Sequence, residues 1–369
     1  MFSLHILALL PFTSLVAAQT CTSLTIPVNV DTQASTITLS NPVNQAELTQ
    51  LFIRNSIPSI PFPPTVVNGT HEVKAKYKIF GKLCTPKNVK PNGTLEFATH
   101  GIAFTHAYWE IGGNNSQYNY AQNAVASGHS IFYYDRLGNG ASSTPDGIQE
   151  VQSSVQVEIA HALVQYLRQG KAGPTFGKVV GVGHSYGSIL SLGITSKYPQ
   201  DFDSVVLTGF AFGDFTGLFI AAGSFGATIA SNAIPGLKLP SSYVAPGTPS
   251  NYQFGFLEYP FYDPAVAAAQ FKIRGTATLG EFTTLADPIG PSTNFTGPVL
   301  VVAGAQDAFF CAGNCAEKVN GTTLPNLVSE LYPVSSNFSS YSPANTGHGL
   351  NLHFSAPTTF SVIEKWIGA

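Results

Sequence analysis

Charge is scarce in this chain. Lys and Arg total 17 and Asp and Glu total 20 among 369 residues, a charged fraction of 10 % where about 25 % is usual. The net charge of −3 gives no basic face to displace counterions, which excludes a nucleic-acid binder. A hydrophobic fraction of 44 % excludes intrinsic disorder, which goes with low hydrophobicity and high net charge. Beyond the first twenty residues no uninterrupted apolar run reaches the about 18 residues a membrane span needs. Cysteine is limited to 4, with no Cys-x-x-Cys pair and no His/Cys cluster at zinc-ligand spacing, so no metal is expected. No cofactor is expected either.

The abundant residues are Gly (35), Pro (25), Phe (26) and Tyr (15), as in a turn-rich, aromatic-rich globular protein long enough for a large core. An uncharged stretch from Leu4 to Val16, interrupted by Pro11, precedes Val16-Ala17-Ala18. It is too short to span a bilayer and reads as a signal peptide, residues 1–18, although its start carries only His5 in place of Lys or Arg. Six Asn-x-Ser/Thr sequons, at Asn68, Asn92, Asn114, Asn294, Asn320 and Asn337, fit export to an extracellular location. Cys311 and Cys315 are close enough to close a small loop, which leaves Cys21 and Cys84 to tie the mature N-terminus to the body. Free buried thiols are the alternative.

Residues 19–93 read as a β-rich segment joining the main sheet, with strands at Ser23–Val30, Thr36–Leu39 and Glu72–Phe80. A helix from Gln45 to Arg54 and a Pro-rich connector, Ile57–Pro64, lie between them. From 94 to 209 strands alternate with helices: Thr94–Thr99, Ser130–Tyr134, helix Val151–Arg168, Lys178–Gly183, helix Ser188–Tyr198 and Ser204–Thr208. Residues 298–369 resume the pattern with strand Pro298–Ala303 and helix Thr359–Trp366. Such alternation implies an α/β fold whose mostly parallel sheet is covered on both faces. Between 210 and 297 the alternation fails. The stretch is too long for a structureless loop and reads as an inserted cap of short helices.

Gly183-His184-Ser185-Tyr186-Gly187 follows one of these strands and opens a helix. Gly-x-Ser-x-Gly lets a serine stand on a sharp strand-to-helix turn, with the Tyr186 amide facing a developing oxyanion. With this placement the chain resembles the α/β-hydrolase family, in its capped serine-hydrolase form, from about Lys74 to the C-terminus. His100-Gly101 resembles the family's oxyanion turn, which implies the Ile102 N–H as second donor. Tyr134-Asp135-Arg136-Leu137-Gly138-Asn139-Gly140-Ala141-Ser142 resembles a turn of capped members in which the Asp and Arg are structural. These motifs, the signal peptide and the cysteine pairs resemble fungal secreted members.

In the family the order is Ser, acid, His, which implies Asp307, in Gly304-Ala305-Gln306-Asp307, and His348, in Thr346-Gly347-His348-Gly349. Asp203, Asp214, Asp263 and Asp287 are rivals for the acid, none directly after so clear a buried strand. His353 rivals His348, but lies between Leu352 and Phe354 as a core or loop residue would. His184 is at most a pocket wall, and His106, His129 and His161 are structural or surface groups. The chain has no His-Gly-Gly-Gly run, and serine at the elbow disfavours the aspartyl route of epoxide hydrolysis or dehalogenation. The expected function is a secreted serine hydrolase of small or medium, largely apolar carboxylic esters or lactones, its partner a small-molecule substrate. The alternatives are acyl transfer, a lyase step or cyclisation at the same triad, or a non-catalytic binding protein.

Overall fold

A computed structural model describes residues 19–55, 66–90, 92–212 and 225–368. The expected signal peptide, the Ile57–Pro64 connector and Asp214 lie outside the described residues.

The chain opens with two long strands, β1 (Gln19–Ile37) and β2 (Val67–Pro86), with helix α1 (Gln45–Asn55) between them. Alternate residues of β1 (Ile26, Val28 and Val30) are buried while the residues between them are exposed, the pattern of a sheet solvated on one face. The two strands expected at Ser23–Val30 and Thr36–Leu39 are thus one continuous strand, irregular only where the register shifts between Ser35 and Ile37. Cys21 pairs directly opposite Cys84, and the two form a disulfide with their Cα atoms 4.0 Å apart. The second disulfide joins Cys311 and Cys315.

The core then alternates: β3 (Gly93–Thr99), α2 (Tyr120–Ala126), β4 (Ser130–Tyr134), α3 (Ser153–Arg168), β5 (Phe176–His184), α4 (Tyr186–Lys197) and β6 (Ser204–Thr208). One helix, α2, has no expectation behind it. It has only seven residues, and the Asn119 side chain starts it by accepting from the Gln122 N–H at 2.8 Å. After β6 come β7 (Ala227–Ile229), β8 (Tyr243–Pro246), β9 (Ala277–Thr278), β10 (Val299–Val302), β11 (Lys318–Val319), β12 (Thr322–Thr323) and β13 (Phe338–Tyr341). A C-terminal helix, Ala356–Ile367, closes the chain.

Eight strands form one sheet in the order β1-β2-β4-β3-β5-β6-β10-β13. β1, β2 and β4 pair antiparallel, and every pairing from β4 to β13 is parallel. Successive residues of the central strands feed opposite cores. Val205 and Leu207 pack with Val155, Ile159 and Ile189 of α3 and α4. Val206 packs with Tyr120, Ala124, Phe360 and Ile363 from α2 and the C-terminal helix. This is the α/β-hydrolase sheet, flanked by helices on both faces.

The segment between β6 and β10 is richer than short helices alone. β7, β8 and β9 make a small antiparallel sheet, with short helices at Ala230–Ala233, Pro249–Phe256, Pro264–Lys272 and Leu279–Thr284. Strands of two to four residues are too short to show an alternating pattern in sequence. The Gln45 side chain of α1 extends that sheet, its Nε2 donating to Ala227 O at 3.0 Å and its Oε1 accepting from Ile229 N at 2.9 Å.

Candidate active site

The chain turns sharply from β5 into α4, with Ser185 at the corner. Ser185 has φ 57° and ψ −121°, a conformation that costs a non-glycine residue about 1–3 kcal/mol. Both flanking glycines are required here. A Cβ on Gly183 would lie 2.5 Å from Ser188 Cα, and one on Gly187 would lie 2.0 Å from Thr99 O. Between Gly181 and Thr195 Ser185 alone is not buried, so the corner lifts its hydroxyl out of the core.

The turn after β3 lies against this corner. A Cβ on Gly101 would come within 2.7 Å of Ser185 Cβ and 3.3 Å of its Oγ. Ala103, with φ 65°, bends the turn back. Among the described residues neither the Ile102 N–H nor the Tyr186 N–H donates to a protein acceptor. Both amides are therefore available to an oxygen held beside Ser185.

Asp307 and His348 meet after β10 and β13. His348 Nδ1 lies 2.7 Å from Asp307 Oδ2, and both residues are buried. Asp307 Oδ1 accepts the Phe309 and Phe310 N–H groups at 2.9 and 3.0 Å, capping the short helix Ala308–Cys311. The carboxylate is thus fixed on both oxygens before it orients the imidazole. The disulfide closes the same loop, and the Gly313 N–H returns to Asp307 O at 2.9 Å. The His348 ring adjoins the end of β6, which also holds the Ser185 turn: a Cβ on Gly209 would lie 3.2 Å from His348 Cε1, and Thr208 O accepts the Ser185 N–H at 2.8 Å.

His353 lies behind this loop. Its Nε2 accepts the Glu258 and Gly347 N–H groups at 3.0 and 3.1 Å, while Nδ1 lies 3.0 Å from Gly349 O. It holds the His348 loop in place, and burial depresses its pKa to about 4. The unfolded chain binds that proton near pH 6.5, so this residue's contribution is complete above about pH 6.5 and is lost as pH falls towards 4. The expected loss is about 3 kcal/mol. Thermal unfolding between pH 7 and 4 should show a shallower decline in His353→Gln than in the wild-type chain.

His184 is buried, stacked on Tyr108 at 4.3 Å between centroids and 5.1 Å from His348. Burial first, then the neighbouring His348 and His100, push its pKa well down. Asp135 and Arg136 are tied to structure. Asp135 accepts the His106 and Ala141 N–H groups at 2.8 Å. Buried Arg136 donates from Nε to His100 O at 3.0 Å, lies 4.7 Å over the Tyr186 ring and forms an ion pair with buried Glu281. Burial raises the Glu281 pKa and the Arg136 charge opposes it.

Of the rival acids, Asp203 pairs with Arg168 at 2.8 Å and Asp263 caps the helix Pro264–Lys272. Asp287, with its pKa raised by burial, is in no ion pair among the described residues. His161 pairs with Asp201 at 2.7 Å.

The imidazole is ringed by aromatic side chains. Phe309, Phe310 and Phe256 lie 4.7, 5.7 and 5.8 Å from His348 between centroids. Phe309 and Phe310 follow Asp307 after a single residue, Ala308, a spacing visible in the sequence. Phe256 comes from a distant helix and only folding brings it there. Glu281 was equally hidden.

Residues 97–361 match the family model described as "Alpha/beta hydrolase family". No curated protein sequence matches the chain. Among solved structures, an alpha/beta hydrolase fold protein from Chitinophaga pinensis is similar at 12% identity and TM-score 0.53, covering 80% of this chain and 94% of that one. A bromoperoxidase from Bacillus anthracis is similar at 16% identity and TM-score 0.53, covering 79% and 95%. A monoacylglycerol lipase from Paleococcus ferrophilus is similar at 14% identity and TM-score 0.52, covering 78% and 98%. At these identities the likeness is one of fold.

Proposed function

The chain belongs to the alpha/beta hydrolase family, and from that premise we propose that it is a secreted serine hydrolase acting on small or medium, largely apolar carboxylic esters or lactones. The observation that carries this reading is the Asp307–His348 pair, bonded at 2.7 Å, beside a serine held at positive φ. His348 Nε2 takes the Ser185 proton as Oγ bonds to the acyl carbonyl carbon. The Ile102 and Tyr186 amides hold the oxyanion, and Asp307 stabilises the imidazolium. His348 then gives the proton to the leaving alkoxide. Water, deprotonated by His348, attacks the acyl-enzyme and releases acid and Ser185.

Aromatic rings from Phe256, Phe309 and Phe310 around His348 favour a neutral, apolar acyl or alcohol group. Extracellular residence is supported by the two disulfides. The asparagines of all six sequons are exposed, where an oligosaccharide can be attached. No described helix is long and apolar enough to cross a membrane.

A p-nitrophenyl ester series tests the substrate class. Hydrolysis is expected to be fastest for neutral acyl chains, with kcat/KM at least about tenfold lower for a carboxylate-bearing acyl group of equal length. Equal rates for both, or no turnover of either esters or lactones, would contradict the assignment.

A further inference from the structure

Away from the elbow, three titratable side chains converge in the core beneath the C-terminal helix. Glu96 comes from β3, His129 from the turn before β4, and Glu364 from the C-terminal helix. All are buried, and one donor atom from each lies within 4.8 Å of the others. His129 Nδ1 is 2.9 Å from Glu96 Oε1 and 3.0 Å from Glu364 Oε2. A single ring N–H cannot serve both carboxylates. It is directed at Glu96, and neither oxygen of Glu364 has a hydrogen-bond partner among the described residues. That carboxyl group is 3 % exposed and aimed into the cluster.

We propose that Glu96, His129 and Glu364 form a binding site for one divalent transition-metal ion of the zinc type. Two carboxylates and a dication sum to zero charge. Carboxylate oxygen and imidazole nitrogen are suitable zinc donors, and bonds of about 2.0–2.2 Å need only a small spreading of the three side chains. Glu96 is already oriented for this: Tyr120 Oη donates to its Oε2 at 2.6 Å, which leaves Oε1 for the ion. An outer-shell bond of that kind is what metal carboxylates ordinarily have. On metallation at Nδ1 the imidazole proton resides on Nε2. The ion would join β3, the turn before β4 and the C-terminal helix. The three residues are far apart in the chain, so no local spacing reveals them, and the expectation of no metal rested on local spacing alone.

The test uses the full secreted chain, stripped with chelator and dialysed against Zn2+. Elemental analysis is expected to find one zinc per chain, and Tm to rise by about 4 °C at a hundredfold excess over Kd. Glu364→Gln should lose the zinc and the shift. Co2+ added to the stripped wild-type chain should give the visible bands of a low-coordinate ion, a readout that does not depend on a variant folding. A folded wild-type chain with neither stoichiometric zinc nor a cobalt band would overturn the site in favour of a proton shared among the three groups. Undiminished zinc in Glu364→Gln would overturn it in favour of another ligand set.

Discussion

Ser185→Ala is expected to lower kcat by about 10⁴- to 10⁶-fold while leaving Tm within about 1 °C of the wild-type value. The two halves of this expectation have separate causes. The hydroxyl is the proposed nucleophile, so its loss removes the covalent route. It makes no hydrogen bond to another described residue, so its loss leaves no buried group unpaired. Ser185→Gly sharpens the contrast. Glycine accepts φ 57° without the strain that serine bears, so this variant should be equally inactive yet more stable, by about 1 kcal/mol. Adding His348→Ala to Ser185→Ala should cost little further activity, because residues that act as one unit do not lose rate additively. Steady-state kinetics and calorimetry on the four chains check both halves.

Arg136→Met should have the largest effect on stability. Arg136 and Glu281 are both fully buried and paired, and removing one partner of such a pair costs about 3–5 kcal/mol. A fall in Tm of about 5 °C follows for a chain of this size. The effect should also reach the chemistry. The guanidinium holds His100 O at 3.0 Å and Gly101 O at 3.4 Å, the two carbonyls just before the proposed Ile102 donor, and it covers the Tyr186 ring. Loss of these bonds loosens both oxyanion amides, so kcat should fall more than KM rises. The double variant Arg136→Met/Glu281→Leu removes the orphaned charge and should recover much of the Tm but not the kcat. Recovery of both together would mean that the pair acts on stability alone.

The parallel sheet was legible because its strands are short buried runs such as Val299–Val302 flanked by turns, and its helices repeat apolar residues at helical spacing. The elbow was legible because Gly183 and Gly187 have no room for a side chain, a constraint that must be written in sequence. The small antiparallel sheet of β7, β8 and β9 was not legible, since strands of two to four residues give no period. The same holds for β13, whose Phe338-Ser-Ser-Tyr341 is only partly buried. Residues acting through long-range pairing were hidden for a different reason. Glu281, Glu364 and Phe256 are ordinary residues in sequence and take on a role only when folding sets them against Arg136, His129 and His348.

The central claim is that Ser185 is a nucleophile activated by His348 and oriented through Asp307. The most direct measurement is covalent labelling of the purified chain with a fluorophosphonate, followed by peptide mass spectrometry. The account predicts one adduct, on Ser185, formed at least about 10³-fold more slowly in His348→Ala. A folded chain that stays unlabelled, or an adduct on another residue, would contradict it.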